Sequence, residues 1–376
     1  IEHSQSTISH RMICTQLDND AIVFGAEEYL REALAPYAAE PPPLLAIISS
    51  CAAGLIGDDI EAIARGVGLS CPIAVLDSSG LSGSFADGWD KAACAVLSAF
   101  LPEQRAGQAN AVNLIGMTSA YYNGENDAHE LMRFLALAGY RVNAVLGCDM
   151  SAADLSGLTQ ASLNIVVHDE LGGGAARLLA ETCGMPCIAP LPPYGRAGTR
   201  KWLAEIGRVL PAPRADAAEE EITRVTREDF LRINECKSIW GELRYETALI
   251  RAPRSTAWGI AQALRTEWAD VCHLAVAADA EGVPTAAPIA DEILGETDAV
   301  RIRELLNGLD GGLLIGSSNE SAHINPRTAA YFPAAYPVQD ALHLSDAPFM
   351  GLRGARHIEE TLWNGHILQK KFNLIE

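Results

Sequence analysis

No apolar run in this chain approaches the roughly 18–20 residues of a membrane-spanning helix, and no charged segment followed by an apolar stretch opens it. A cytoplasmic chain with no membrane partner is the expectation. Basic residues are scarce: 28 Lys and Arg stand against 48 Asp and Glu, a formal charge of −20. Phosphate backbones attract clustered cations, so nucleic acid is not an expected partner either. The acids are spread over helix-like segments and read as a solvated surface. GxGxxG, P-loop and GxSxG motifs are all missing, so any nucleotide used belongs to another protein. CxxC is missing too: Cys183 and Cys187 ("CGMPC") have three residues between them, a spacing better explained by packing than by zinc or redox chemistry. The first residue is Ile1 rather than Met, and sequence upstream of it is expected.

What is present is apolar: 49% hydrophobic against 20% charged residues, enough to bury more than one core over 376 residues. The nine cysteines are odd in number and scattered, unlike a secreted disulfide framework. Cys94 in "AACAVL" and Cys148 in "LGCDMS" read as core thiols.

Short apolar runs alternate with amphipathic, Ala- and Leu-rich segments, the pattern of parallel sheets covered by helices. Strands are expected at 44–49, 73–76, 112–116, 141–146, 163–167, 187–189, 272–277, 313–316 and 335–338. Helices are expected at 26–35, 58–66, 127–138, 174–183, 199–209, 255–268, 298–309 and 354–363. The Pro-, Ala- and acid-rich stretch 211–221 ("PAPRADAAEEE") marks the best boundary, and 101–111 a weaker one. The fold class is α/β, three Rossmann-like domains with parallel sheets around a central cleft: 1–108, 109–210 and 228–376. The last helix is free to pack back on the first unit. Ligands of such sheets bind beyond the carboxyl ends of strands, which directs attention to 50–57, 117–126, 168–174 and 317–323.

In "SSCAAGLIGDDI" (49–60) the residues leave Cys51 at a strand end. Gly54 and Gly57 permit a tight turn, and Asp58 and Asp59 fall in the first helical turn. Cys51 is then either a plain core thiol or a thiolate stabilised by helix N-terminal amides. His168, in "VVHDELGGG", offers an imidazole that can bind a metal, hydrogen-bond a substrate or donate a proton, and equally one that caps the next helix or pairs with Asp169. Gly172 to Gly174 would let a ligand approach the backbone.

Order and context add to this. "LDNDAIVFGAEEYLREAL" followed by "SSCAAGLIGDDIEAIAR" resembles the cluster-binding region of the nitrogenase component 1 family. "VNLIGMTSAYYNGENDAHELMRFLALAGYRVNAVLGCD", "GLTQASLNIVVHDELGGGAARLLAETCGMPCI" and "LLIGSSNESAHI" to "GLRGARHIEETLWN" resemble its later units. The resemblance implies an iron–sulfur cluster (4Fe-4S or larger) held in part by Cys51, with Gly54, Gly57 and Gly172 lining a cofactor and His168 in a catalytic role. It also implies a homologous partner subunit in a heterotetramer or homodimer, and an ATP-hydrolysing iron protein as electron donor.

Two departures temper the match. The family's His-Gly-Pro-x-Gly-Cys type loop has its counterpart in "IEHSQSTISHRM", where His3 is followed by no cysteine, so the other ligands are expected from a partner or from residues not in this sequence; Cys14 matches no usual ligand position. In the catalytic nitrogenase subunit a cofactor-binding cysteine falls where His168 stands, and its late histidine falls nearest Met350, with His343 some residues earlier. The expectation is a nitrogenase-like reductase subunit rather than a dinitrogen-reducing one. The alternative is a scaffold for assembling a nitrogenase-type metallocluster.

Overall fold

The computed structural model describes residues 13–51, 57–76, 83–101, 107–148, 150–278 and 289–373. In the first unit, α1 (Asn19–Phe24) and α2 (Glu27–Leu34) precede β1 (Leu45–Ile48), α3 (Ile60–Gly66), β2 (Ile73–Leu76) and α4 (Phe85–Phe100). β1 and β2 pair in parallel, Leu45 opposite Ile73. The two acids of "GDDI" serve different helices. Asp59 is the N-cap of α3, accepting from the Ala62 amide, whereas Asp58 reaches back to the Ala26 amide at the start of α2.

The second unit runs β3 (Ala111–Ile115), α5 (Gly124–Leu137), β4 (Arg141–Val145), α6 (Ala152–Gly157), β5 (Leu163–Val166), α7 (Asp169–Cys183), β6 (Cys187–Ile188) and α8 (Gly195–Val209). Its parallel sheet has the order β4-β3-β5-β6. Every residue of β3 and β5 is buried, because helices cover both faces. Polar Asn113 survives there by full pairing: it donates to the Leu158 carbonyl and Asn164 Oδ1 (2.9 and 2.8 Å) and accepts from Asn143 (3.0 Å).

The boundary stretch enters α9 (Ala215–Trp240), 26 residues long, which leads to the third unit. There β7 (Arg244–Ala252), α10 (Arg254–Ala263), β8 (Asp270–Ala278), β9 (Glu292–Leu294), α11 (Ala299–Asn307), β10 (Leu313–Gly316), α12 (Ser318–Ser321), β11 (Ala330–Pro333) and α13 (Gly351–Asn373) follow. The sheet order is β11-β10-β7-β8-β9, again all parallel. Three differences from the sequence expectation stand out. The central strand β7 is not among the expected strands, its "RYE" opening breaking the apolar run. The strand expected at 335–338 lies instead at Ala330–Pro333. Helix α7 starts at Asp169, five residues before the expected 174, and runs through the glycine triplet.

The second and third units share one buried core, to which Leu114, Phe134 and Trp202 contribute together with Trp258, Ile315 and Met350. Helix α13 packs mainly on the second unit, against α8, α5 and α9. Its N-terminal end is held by α5: Asp127 accepts from the Phe349 and Met350 amides at 2.6 and 2.8 Å. Burial nonetheless pushes the Asp127 carboxyl up to about 7. A buried ionic cluster joins the same elements. Arg196 of α8 donates to Asp229 of α9 (2.7 Å), Glu359 of α13 (2.5 Å) and Glu267 (3.2 Å), and Arg356 also binds Asp229 (2.8 Å). Desolvation lifts the Glu359 carboxyl to about 6.

The first unit docks through α4. Asp90 accepts from the Gly174 and Ala175 amides of α7 (3.0 and 3.1 Å), and a Cβ at Gly174 would collide with that carboxylate. Among the described residues no helix is long and apolar enough to cross a membrane.

Candidate functional site

Both larger sheets reverse their strand order once. In the second unit the reversal lies between β3 and β5, in the third between β7 and β10. A crevice opens at such a switch point, where successive connections leave on opposite faces of the sheet. His168 lies just beyond β5 and Ser255 just beyond β7. The two crevices therefore face each other, and these two side chains meet between them.

His168 occupies the N-cap position of α7 with extended backbone, but its side chain does not cap the helix. Instead Nδ1 lies 2.7 Å from Ser255 Oγ. The Ser255 hydroxyl donates to Glu170 Oε1 at 2.8 Å, and the Ser255 amide approaches the same carboxylate at 3.3 Å. Tyr121 donates its hydroxyl to Glu170 Oε1 at 3.3 Å and sets its ring edgewise to His168, centroids 5.0 Å apart. Phe85, the first residue of α4, lies 6.1 Å from the Tyr121 ring, so all three units contribute. Arg254 donates to Asp169 Oδ2 at 2.7 Å, closing the outer side. His168 is only 3% exposed, and burial drives its pKa down to about 4 against a smaller opposing pull from Asp169. It is an uncharged imidazole at neutral pH.

Gly172 is accounted for by packing in this structure. A Cβ there would fall 2.9 Å from the Gly116 backbone, so the β3 end and the first turn of α7 meet at backbone distance. Gly57 adopts φ +82° with open space around it, a turn that requires glycine for its conformation rather than for room. Gly54 lies outside the described residues.

Cys51 follows β1 and is exposed. Its position beyond a strand end and ahead of α3 is the one expected for it, but the plain core thiol is not what the structure has. Among the described residues no group of three or more His, Cys, Asp or Glu side chains could hold a metal. A four-iron cluster needs about four protein ligands. The described residues thus do not supply a complete ligand set for such a cluster. His343 belongs to a separate aromatic group, donating from Nε2 to the Ala347 carbonyl (3.0 Å) and packing beside Phe349 and His357. Met350 is fully buried.

Sequence reasoning singles out His168 but not Ser255, Glu170 or Tyr121. The run "TALI" ending at "RAPRS" is the available signal, hidden by the charged opening of β7.

A parallel α/β frame of this kind, with strand-end loops converging on one cleft, has a family to match. The chain belongs to the nitrogenase component 1 type oxidoreductases, whose family description matches residues 1–365. It is 26% identical over 348 residues to a light-independent protochlorophyllide reductase subunit of Methylobacterium sp. (strain 4-46), covering 90% of this chain and 67% of that protein. It is 29% identical over 174 residues to the corresponding protein of Prosthecochloris aestuarii (strain DSM 271 / SK 413), 44% of this chain and 31% of that one. The structure entitled "Nitrogenase Cp1 at pH 5" superposes with a TM-score of 0.72 at 19% identity, covering 94% of this chain and 77% of its own, which shows a common fold.

Proposed function

We infer that this chain is one subunit of a nitrogenase-like reductase, working with a homologous subunit and an ATP-hydrolysing iron protein. Cys51 would hold one iron of an iron–sulfur cluster shared with the partner subunit. When bound, such a cluster supplies one-electron transfer, its potential tuned by the ligands and their surroundings. The substrate would bind where the switch points of the second and third units face each other. There His168, uncharged near neutral pH, is available as a hydrogen-bond acceptor, while Tyr121 and Phe85 give the pocket an aromatic wall.

The observation that carries this reading is an exposed thiol just beyond the first strand of a chain belonging to this family. Surface exposure suits a ligand completed by a second chain better than a core thiol. The test is iron content and electron paramagnetic resonance of the anaerobically isolated complex, wild type against Cys51→Ala. Loss of iron and signal is expected. Unchanged iron and signal in the variant would sink the assignment.

A further inference from the structure

A second cavity lies away from His168, at the amino ends of β7 and β8, with Leu243 and Asp270 in its wall. Its volume is about 400 Å³, within the ~300–1,000 Å³ of small-molecule sites. Ser255 follows the carboxyl end of β7, so the two sites lie at opposite ends of that strand. The wall is built by α9, by α13 and by a single π-helical turn, Leu264–Trp268, that continues α10; such turns recur at functional sites. Two indoles set its chemistry. Trp268 and Trp363 line the cavity, are only 2% and 5% exposed, and keep Nε1 without a hydrogen-bond partner among the described residues. Two of the four buried indole nitrogens that lack a partner thus fall at one cavity. Buried donors are almost always paired, and an indole N–H can only donate, so both call for an acceptor.

The charges in the wall decide what kind of acceptor it takes. Its three cations already serve carboxylates: Lys237 pairs with Glu242, Arg265 with Asp291, and Arg196 with Asp229, Glu267 and Glu359. Four acids, Glu242, Glu267, Asp270 and Glu359, stand in the wall against those three cations. An entering anion would therefore meet a surplus of its own sign. Phe230, Ile233 and Leu243, with the two indole rings, suit a flat apolar body. Both indole nitrogens are closed off from solvent. The lining side chains that yield to admit an oxygen are the outer ones, Phe230 at 63% exposed and the Lys237–Glu242 pair. We propose that this cavity is a second ligand site, taking a small neutral molecule with a carbonyl-type oxygen on a planar apolar body, the oxygen accepting from the Trp268 or Trp363 indole N–H. It stands independently of the Cys51 and His168 assignments.

The test is proton–nitrogen correlation on the full chain labelled with 15N-tryptophan, the two indole signals assigned as those lost in Trp268→Phe and Trp363→Phe. Acetophenone, a planar aromatic ketone, should move one or both indole proton signals downfield and saturably. α-Methylstyrene, with a CH2 group in place of the ketone oxygen, should produce no downfield shift. Benzoate, equally planar but anionic, should bind about tenfold more weakly than acetophenone. No saturable response to acetophenone means a cavity that holds water only, and overturns the proposal. An equal response to α-methylstyrene removes the hydrogen bond, and tighter binding of benzoate removes the neutral ligand; either result overturns it. Asn234→Phe tests the location without touching either indole, because Asn234 is an exposed residue of the same wall. Added bulk there should weaken acetophenone about tenfold, and an unchanged affinity would place the ligand elsewhere.

Discussion

The two residues that chemistry singles out lie in opposite surroundings. His168 sits between two sheets in which β3, β5 and β10 are wholly buried, with Ser255, Glu170 and Tyr121 supplied by the chain itself. Cys51 lies three residues beyond β1, of which Ala46 and Ile48 face outward, in a sheet of two described strands. A strand buried on both faces must satisfy its polar groups internally. A half-covered one leaves its strand-end side chains to whatever docks there. The second and third units thus supply the partners of His168 themselves, while the first leaves Cys51 exposed.

The largest effect should come from the junction between the second and third units. Arg196→Met leaves Asp229, Glu359 and Glu267 as buried carboxylates without their shared cation, and should cost about 3–5 kcal/mol in chemical denaturation. A loss near that of an exposed pair, below about 1 kcal/mol, would mean that the units are not held through this cluster. The sheets themselves give the next contrast. Leu114→Ala in β3, 0% exposed, should cost about 2–5 kcal/mol through lost burial and a cavity. Ile48→Ala in β1, 64% exposed, should stay within about 0.5 kcal/mol. Equal costs would erase the comparison.

The smallest of these effects at neutral pH grows with acid. In the unfolded chain His168 titrates near its ordinary 6.5, but in the fold only near about 4. Between these values the unfolded state binds a proton that the native state refuses, so stability contributed at this site falls as pH falls, by up to about 3 kcal/mol. Asp127 and Glu359, raised to about 7 and about 6, act oppositely: the native state keeps protons that the unfolded state has released, so their terms weaken the fold as pH rises. The total curve mixes these signs. The stability difference between wild type and His168→Gln isolates the imidazole, and it should move against the wild type as pH drops from about 7 to about 4. A difference independent of pH would contradict the buried, uncharged His168.

Much of the architecture is legible because it is local. Ile73–Leu76 and Leu313–Gly316 are strands at their expected bounds, and the apolar periodicity of α2 and α8 places them to within a few residues. β7 escapes because Arg244 and Glu246 interrupt its pattern where the strand emerges exposed, before "TALI" is buried. At 211–221 the composition suggests a boundary, yet Ala215–Trp240 is continuous helix, since Ala, Glu and Arg favour helix whatever they separate. The glycine triplet suggests an approach for ligand, but in the structure protein groups occupy two of its three faces, Gly116 against Gly172 and Asp90 against Gly174.

The sequence by itself determined the alternation of strands and helices, the strand-end placement of Cys51 and His168, and membership of a family, because hydrophobic period and turn residues act over a few neighbouring positions. Only the tertiary structure decided what His168 touches. Ser255 is 87 positions away and Glu170 lies 85 from Ser255; they meet because two sheets, each reversing its strand order at the centre, turn those reversals toward one another. Periodicity along a chain carries no information about which crevices face, and here that facing brings Ser255 within 2.7 Å of His168.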